Sequence, residues 1–171
     1  ITLRSAREIE LMRQAGAVVA SVLSKLREKA EPGVSTADLD QIAIRMAGEA
    51  GAQTLFKGVP HPGGGKAFPG AICASVNHEV VHGIPTPDTV LRSGDILSVD
   101  FGVRLNGYCG DSATTIAVGD VDPTKQRLMD VTREVLAIAI RELRPGVRWS
   151  DIARKMQRHA EAAGYGVVRD F

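Results

Sequence analysis

The sequence predicts an α+β protein in which helices cover an antiparallel sheet, and two observations predict this class. Apolar residues recur at helical spacing up to residue 51, and the spacing then becomes strand-like over residues 71–118. The pair Asn106-Gly107 separates the last two strand candidates, and Asn-Gly is the preferred two-residue turn of an antiparallel hairpin. Helical spacing returns after residue 121.

Composition and charge limit the classes of partner. The 171 residues are 44% hydrophobic and 24% charged, and the net charge of +1 argues against nucleic acid or an anionic membrane as a partner. No apolar run approaches the roughly 20 residues that cross a bilayer, and the N-terminus lacks a secretory signal pattern. Cys73 and Cys109 form no CxxC pair and are interpreted as free thiols, so the sequence predicts a cytoplasmic protein.

Two helices are predicted before the strand region. Ser5 and Glu8 make a capping box that opens the first helix, which ends before Pro32-Gly33. The second helix begins near Ser35 and runs to Gly51.

A loop, four strand candidates and two more helices follow. Residues 57–70 are too rich in glycine and proline for regular structure. Strands are predicted at residues 71–76, 79–81, 96–103 and 108–118. Asp122-Pro123 opens a third helix that runs to about Leu143, and a fourth covers residues 150–163.

The second and fourth helices repeat each other in sequence. Residues 32–51 align without gaps on residues 145–164, and eight of the twenty positions are identical. The alternative is that Pro-Gly turns followed by amphipathic helices resemble one another. If the repeat is real, residues 1–120 form one complete half of a pseudo-twofold fold, and residues 121–171 begin a second half that is truncated.

Two aspartates on the predicted hairpin are the strongest indication of chemistry. Closing the turn at Asn106-Gly107 places Asp111 opposite Gly102, and the same register places Asp100 opposite Ala113. Side chains alternate along a strand, so the two carboxylates share one face at a diagonal backbone separation of about 7–8 Å. A bulge at Gly110 would undo this register.

Such a carboxylate pair predicts a metal site. Two carboxylates at this spacing can hold one ion or bridge two. The alternative is a wet sheet face with two solvated aspartates, although like charges on one face repel each other. Oxygen ligands alone favour Mg, Mn or Ca, and added histidines shift the choice toward Mn, Fe, Co or Zn.

Several segments together resemble type I methionine aminopeptidases over nearly the whole chain. They are residues 8–16 (EIELMRQAG), 32–36 (PGVST), 73–85 (CASVNHEVVHGIP), 94–100 (GDILSVD) and Asp111. The resemblance implies the first half of a pseudo-twofold "pita-bread" fold of the creatinase and aminopeptidase type. It also implies two divalent ions (Co, Mn, Fe or Zn), with Asp100 chelating one ion and Asp111 bridging both.

The resemblance assigns roles to three further residues. It implies that His82 contacts the substrate around the scissile amide, while Phe68 and Cys73 line the methionine pocket. Each has a structural alternative, since His82 could be an exposed histidine at a strand end, and Phe68 and Cys73 could belong to the core. The loop at residues 62–65 is longer and richer in glycine than in the family, which puts the pocket assignment in doubt.

By this resemblance the protein removes the N-terminal methionine of peptides and nascent chains, with the ribosome as a candidate partner. The family's remaining ligands, one histidine and two glutamates, are expected beyond residue 171, so the 171 residues alone are expected to be inactive. Two alternatives are a proline-directed aminopeptidase of the same fold and a non-catalytic pita-bread binding module. The second would often lose the metal carboxylates, whereas Asp100 and Asp111 are both present.

Overall fold

A computed structural model describes residues 2–61 and 63–169, which form two compact units, Ile1–Val121 and Asp122–Phe171. The first unit contains α1 (Ala6–Lys29), α2 (Thr36–Glu49), β1 (Gln53–Thr54), β2 (Ile72–Val76), β3 (Ile96–Leu105) and β4 (Tyr108–Ala117). The second contains α3 (Pro123–Glu142) and α4 (Trp149–Ala162). The four predicted helices are confirmed.

The sheet of the first unit is antiparallel and is organised around β3. Strand β4 pairs with β3 along its whole length. On the other side of β3, β2 pairs with residues 97–101 and β1 pairs with residues 103–104. Strand β3 is therefore the most constrained element of the sheet.

Helices α1 and α2 cover one face of this sheet. Four alternate residues of β3, Leu97, Val99, Phe101 and Val103, are fully buried and belong to one core cluster with buried side chains of both helices. The other face of β3 carries Ser98, Asp100 and Gly102, so the core side and the polar side separate as the alternation predicts.

The predicted caps of the first two helices are both present. Ser5 and Glu8 close a capping box at α1, and Ser35 and Asp38 close another at α2. Each box satisfies amides that the first helical turn leaves without partners, which fixes where the helix begins.

The second unit is a pair of helices. Asp122 caps α3 through the amides of Thr124 and Lys125. Helices α2 and α4 each have 14 residues, and they begin and end at aligned positions of the sequence repeat. Helix α4 has no side-chain cap, because Arg148 stands where the first copy has Ser35. The assignment of residues 1–120 and 121–171 to two pseudo-symmetric halves stays a prediction.

Two details of the sheet differ from the sequence prediction. The strand expected at residues 79–81 is wrong, because Asn77 turns the chain with a positive φ of 53° and the Glu79 amide bonds back to the Val76 carbonyl. Val80 and Val81 are exposed there despite their β propensity. Strand β1 was not predicted, since two residues carry no detectable alternation.

The outer edge of β2 is closed by groups that do not belong to a strand. The outward amide of Ile72 bonds to the Asp40 carboxylate at 3.0 Å, that of Ala74 to the Gly83 carbonyl at 2.9 Å, and that of Val76 to the Glu79 carboxylate at 2.8 Å. Asp40 Oδ1 also accepts the Ala71 amide at 2.7 Å. Helix α2, through Asp40, thus fixes where the loop of residues 57–70 enters the sheet.

We expect Asp40→Ala to lower the free energy of unfolding by about 2–4 kcal/mol, because two buried amides lose a charged acceptor. Asp40→Asn keeps the accepting oxygen and is expected to cost about half as much. Urea denaturation of both variants measures the difference. Equal losses for alanine and asparagine would show that the two amide bonds contribute nothing.

Among the residues that the structure describes, no helix has both the length and the apolar character needed to span a membrane.

Candidate metal centre

The hairpin that carries the two aspartates forms in the predicted register. Leu105 pairs with Tyr108 around the Asn106-Gly107 turn, and both turn residues have positive φ. The pairing runs on without a bulge, so Asp111 lies opposite Gly102. Asp100 and Asp111 therefore lie on the same face of the sheet, the one that α1 and α2 leave uncovered; we call it the aspartate face.

The two carboxyl groups interact strongly. Burial, followed by the charge of Asp111 and a hydrogen bond with its carboxyl group, raises the pKa of Asp100 to about 6. His82 and the Phe101 amide act in the opposite direction, because both favour the charged carboxylate. The pair thus concentrates negative charge where β3 and β4 are paired.

Cys73 joins the aspartates on this face. It is paired with Asp100 across β2 and β3 and is buried. Burial, followed by the charges of Asp100 and Asp111, raises the pKa of the Cys73 thiol to about 11. The thiol stays protonated at neutral pH and presents a small, weakly polar surface, which excludes a role as a thiolate nucleophile.

His82 reaches the same site from the segment that follows β2. Its charge lowers the pKa of Asp100, so the imidazole lies within electrostatic range of that carboxylate. Its backbone is in the left-handed region, with φ of 61°. This conformation is uncommon for residues other than glycine and is often found at functional sites.

Phe68 is the predicted site residue with the weakest connection to the others. It lies half-buried in the glycine-rich loop, where its backbone bonds to Gly58 and Val59 at 2.8 and 2.9 Å. These bonds fold the loop back on itself five residues before Cys73. A place for Phe68 in a methionine pocket stays a prediction.

Two residues beside Asp111 were missed by the sequence analysis. A methyl group added at Gly102 would lie 3.0 Å from Leu55 Cδ1 and 3.4 Å from both Phe56 Cε1 and Asp111 Cγ. Leu55 and Phe56 therefore form an apolar wall next to the carboxylate. Their position depends on the two-residue strand β1 and on the 3.0 Å bond from the Leu55 amide to the Gly102 carbonyl, and no local pattern signals either.

The aspartate face fits divalent ions only in part. Burial and the charge of Asp111 raise the pKa of Asp100, and a cation would favour the charged form of both carboxyl groups. However, no three histidine, cysteine or acidic side chains in residues 2–61 and 63–169 are grouped closely enough to hold a metal ion. Among the residues that the structure describes, the aspartate face therefore offers a carboxylate pair and no third ligand beside it.

Burial of Asp100 and its repulsion by Asp111 predict a pH-dependent stability in metal-free buffer. The pKa of Asp100 is raised from 3.8 in the unfolded chain to about 6 in the fold, so the folded state holds its proton more tightly. Stability from this group is present below pH 4, is lost as the pH rises toward 6, and is absent at neutral pH.

We therefore expect Asp100→Asn to stabilise the metal-free chain at pH 7 by about 1–2 kcal/mol, allowing for solvent screening of a half-exposed group. At pH 3.5 the variant and the unmodified chain should differ little. Denaturant titrations in a chelating buffer between pH 3.5 and 8 measure this. A difference in stability that does not change with pH would contradict the explanation.

The fold and the site together define a class. A helix-covered antiparallel sheet of this kind is the pita-bread arrangement of aminopeptidases. The chain belongs to metallopeptidase family M24, whose sequence pattern matches residues 10–171.

Relatives in this family cover the whole chain. The chain is 44% identical over 171 residues to a methionine aminopeptidase of Clostridium acetobutylicum and 43% identical to methionine aminopeptidase 1 of Bacillus subtilis. It spans 66% of the length of each of these curated relatives.

Solved structures agree with the sequence comparison. The crystal structure of a methionine aminopeptidase from Thermotoga maritima superposes with a TM-score of 0.93 at 38% identity, covering 100% of this chain and 66% of that one. A proline aminopeptidase from Yersinia pestis superposes with a TM-score of 0.79 at 21% identity, covering 94% of this chain and 34% of that one, and shares the fold.

Proposed function

We propose that the natural polypeptide containing this chain is a metal-dependent aminopeptidase that removes the N-terminal methionine from peptides and nascent chains. The observation that carries the proposal is the Asp100–Asp111 pair on the open face of the hairpin. The similarity of the whole chain to methionine aminopeptidases supports the choice of substrate.

In this proposal Asp100 and Asp111 supply two carboxylate ligands to two divalent ions, drawn from Co, Mn, Fe or Zn. The ions would polarise the scissile carbonyl and activate water. The remaining ligands, one histidine and two glutamates, are proposed to lie beyond residue 171. The 171 residues alone are therefore expected to be inactive.

The side chains around the pair are proposed to orient the substrate. His82, whose charge lowers the pKa of Asp100, is proposed to donate a hydrogen bond to the peptide group that is cleaved and to stabilise negative charge on its oxygen. Cys73, protonated at neutral pH, and Phe68 would contact the methionine side chain, for which an apolar and polarisable wall is suitable.

The free thiols of Cys73 and Cys109 support a cytoplasmic location for this activity. Nascent chains carry the proposed substrate on the ribosome, so co-sedimentation with ribosomes is the test of that partner.

The function is tested by incubating Met-Ala-Ser with the natural polypeptide and with the 171 residues alone. We expect methionine release by the longer protein, loss of release in EDTA, and recovery with Mn²⁺ or Co²⁺. Ala-Pro-Ser serves as the control substrate for proline-directed cleavage. Absence of methionine release with each of Co²⁺, Mn²⁺, Fe²⁺ and Zn²⁺ would overturn the proposal. Cleavage of Ala-Pro-Ser without cleavage of Met-Ala-Ser would indicate a proline-directed aminopeptidase instead.

A further inference from the structure

The backbone of His82 needs a structural explanation. A left-handed conformation is unfavourable for a residue with a Cβ atom, and it persists only where the surrounding structure holds it. His82 has φ of 61°, and the residue is exposed.

One restraint lies in the next residue. The Gly83 amide donates to Ser75 Oγ at 3.0 Å, and the Gly83 carbonyl accepts the Ala74 amide at 2.9 Å. A methyl group added at Gly83 would collide with the Ala74 carbonyl oxygen, so this residue lies directly against the backbone of β2. Both backbone groups that follow His82 are thereby fixed to the strand.

Ser75 makes this connection from the aspartate face. It is 3% exposed, pairs with Ser98 across β2 and β3, and lies two residues beyond Cys73 on the same face. Of the two hydrogen bonds made by Gly83, only the one to Ser75 involves a side chain. The Ser75 hydroxyl thus links the sheet that carries Asp100 to the segment that carries His82.

We propose that Ser75 is a positioning residue for His82. By accepting the Gly83 amide, Ser75 fixes the peptide group that follows His82 and so helps to hold His82 in its left-handed conformation. The effect of Ser75 on methionine release rests on the proposed function, which gives His82 its role. The effect of Ser75 on the backbone conformation of His82 does not depend on that function.

Two matched comparisons isolate the hydroxyl. Ser75→Ala removes it, and Ser98→Ala removes the neighbouring hydroxyl, which bonds to Thr115 Oγ1 at 2.9 Å and not to Gly83. Ser75→Thr and Ser75→Val have the same shape and differ in the hydroxyl, so they make the same comparison if Ser75→Ala does not fold.

The first readout is NMR of His82, because the backbone coupling constant and the Cα and Cβ shifts report φ. We expect Ser75→Ala and Ser75→Val to move these signals away from left-handed values, while Ser98→Ala and Ser75→Thr leave them in place. Unchanged His82 signals in Ser75→Ala and Ser75→Val would overturn the proposal.

The second readout is catalysis by the natural polypeptide. We expect Ser75→Ala to lower kcat by about tenfold to a hundredfold, as for other residues that orient a catalytic group, with KM altered much less. A loss of kcat no larger than that of Ser98→Ala would overturn the catalytic part of the proposal. His82→Ala separates the two hypotheses: if it leaves methionine release intact, the proposed role of His82 fails, and the NMR comparison still decides whether Ser75 holds it.

Discussion

Asp111→Asn in the natural polypeptide is expected to lower kcat/KM for methionine release by about a thousandfold or more, which corresponds to about 4 kcal/mol of transition-state stabilisation. An asparagine amide has one oxygen and no charge, so it cannot bridge two cations. If the proposed site holds two ions, the variant would keep Asp100 as a ligand, and the affinity for the second ion would fall furthest. Metal titration calorimetry and Met-Ala-Ser kinetics measure the two effects separately.

The control for this substitution is Asp120→Asn. Asp120 is exposed and follows the C-terminal end of β4. Its replacement by asparagine therefore removes one carboxylate without changing the aspartate face. Normal metal binding and turnover are expected. If Asp111→Asn retained activity within tenfold of Asp120→Asn, Asp111 would not be a metal ligand.

Gly110→Ala is expected to destabilise the chain by about 3 kcal/mol or more, because overpacking here involves backbone atoms that cannot rotate away. The added methyl group would lie 2.6 Å from the Gly16 amide nitrogen and 2.7 Å from the Ala15 carbonyl carbon of α1. Either α1 or β4 must move, and Asp111 is the next residue in β4. Thermal or urea unfolding measures the loss of stability.

Gly16→Ala is the matched control, since it adds a methyl group on the other side of the same helix–strand contact. Nothing lies within 4 Å of that position, and alanine is a better helix former than glycine. We expect no loss and a gain of up to about 1 kcal/mol. Similar losses for the two variants would contradict the close approach of α1 to Gly110.

The central hairpin could be predicted because its determinants are local. Asn106-Gly107 sets the turn and hence the register, and strict alternation then assigns Asp100 and Asp111 to one face. The caps at Ser5 and Ser35 are local in the same sense, since each is a side chain bonded three residues away.

The parts of the site that could not be predicted depend on distant contacts. Val80 and Val81 have strong β propensity, but the turn at Asn77 and the Glu79 bond take precedence. The wall formed by Leu55 and Phe56 depends on pairing with a strand about 50 residues away in sequence. The anchoring of β2 by Asp40 joins residues more than 30 positions apart.

The closed edge of β2 also bears on how this chain behaves in concentrated solution. Exposed strand edges invite a strand of another molecule to add to the sheet, which is a common route to aggregation. At Ile72, Ala74 and Val76 the outward amides already have acceptors, two of them carboxylates, so an incoming strand finds no donors in this stretch and meets negative charge instead. The groups that hold the site in place therefore also prevent the sheet from growing on that side.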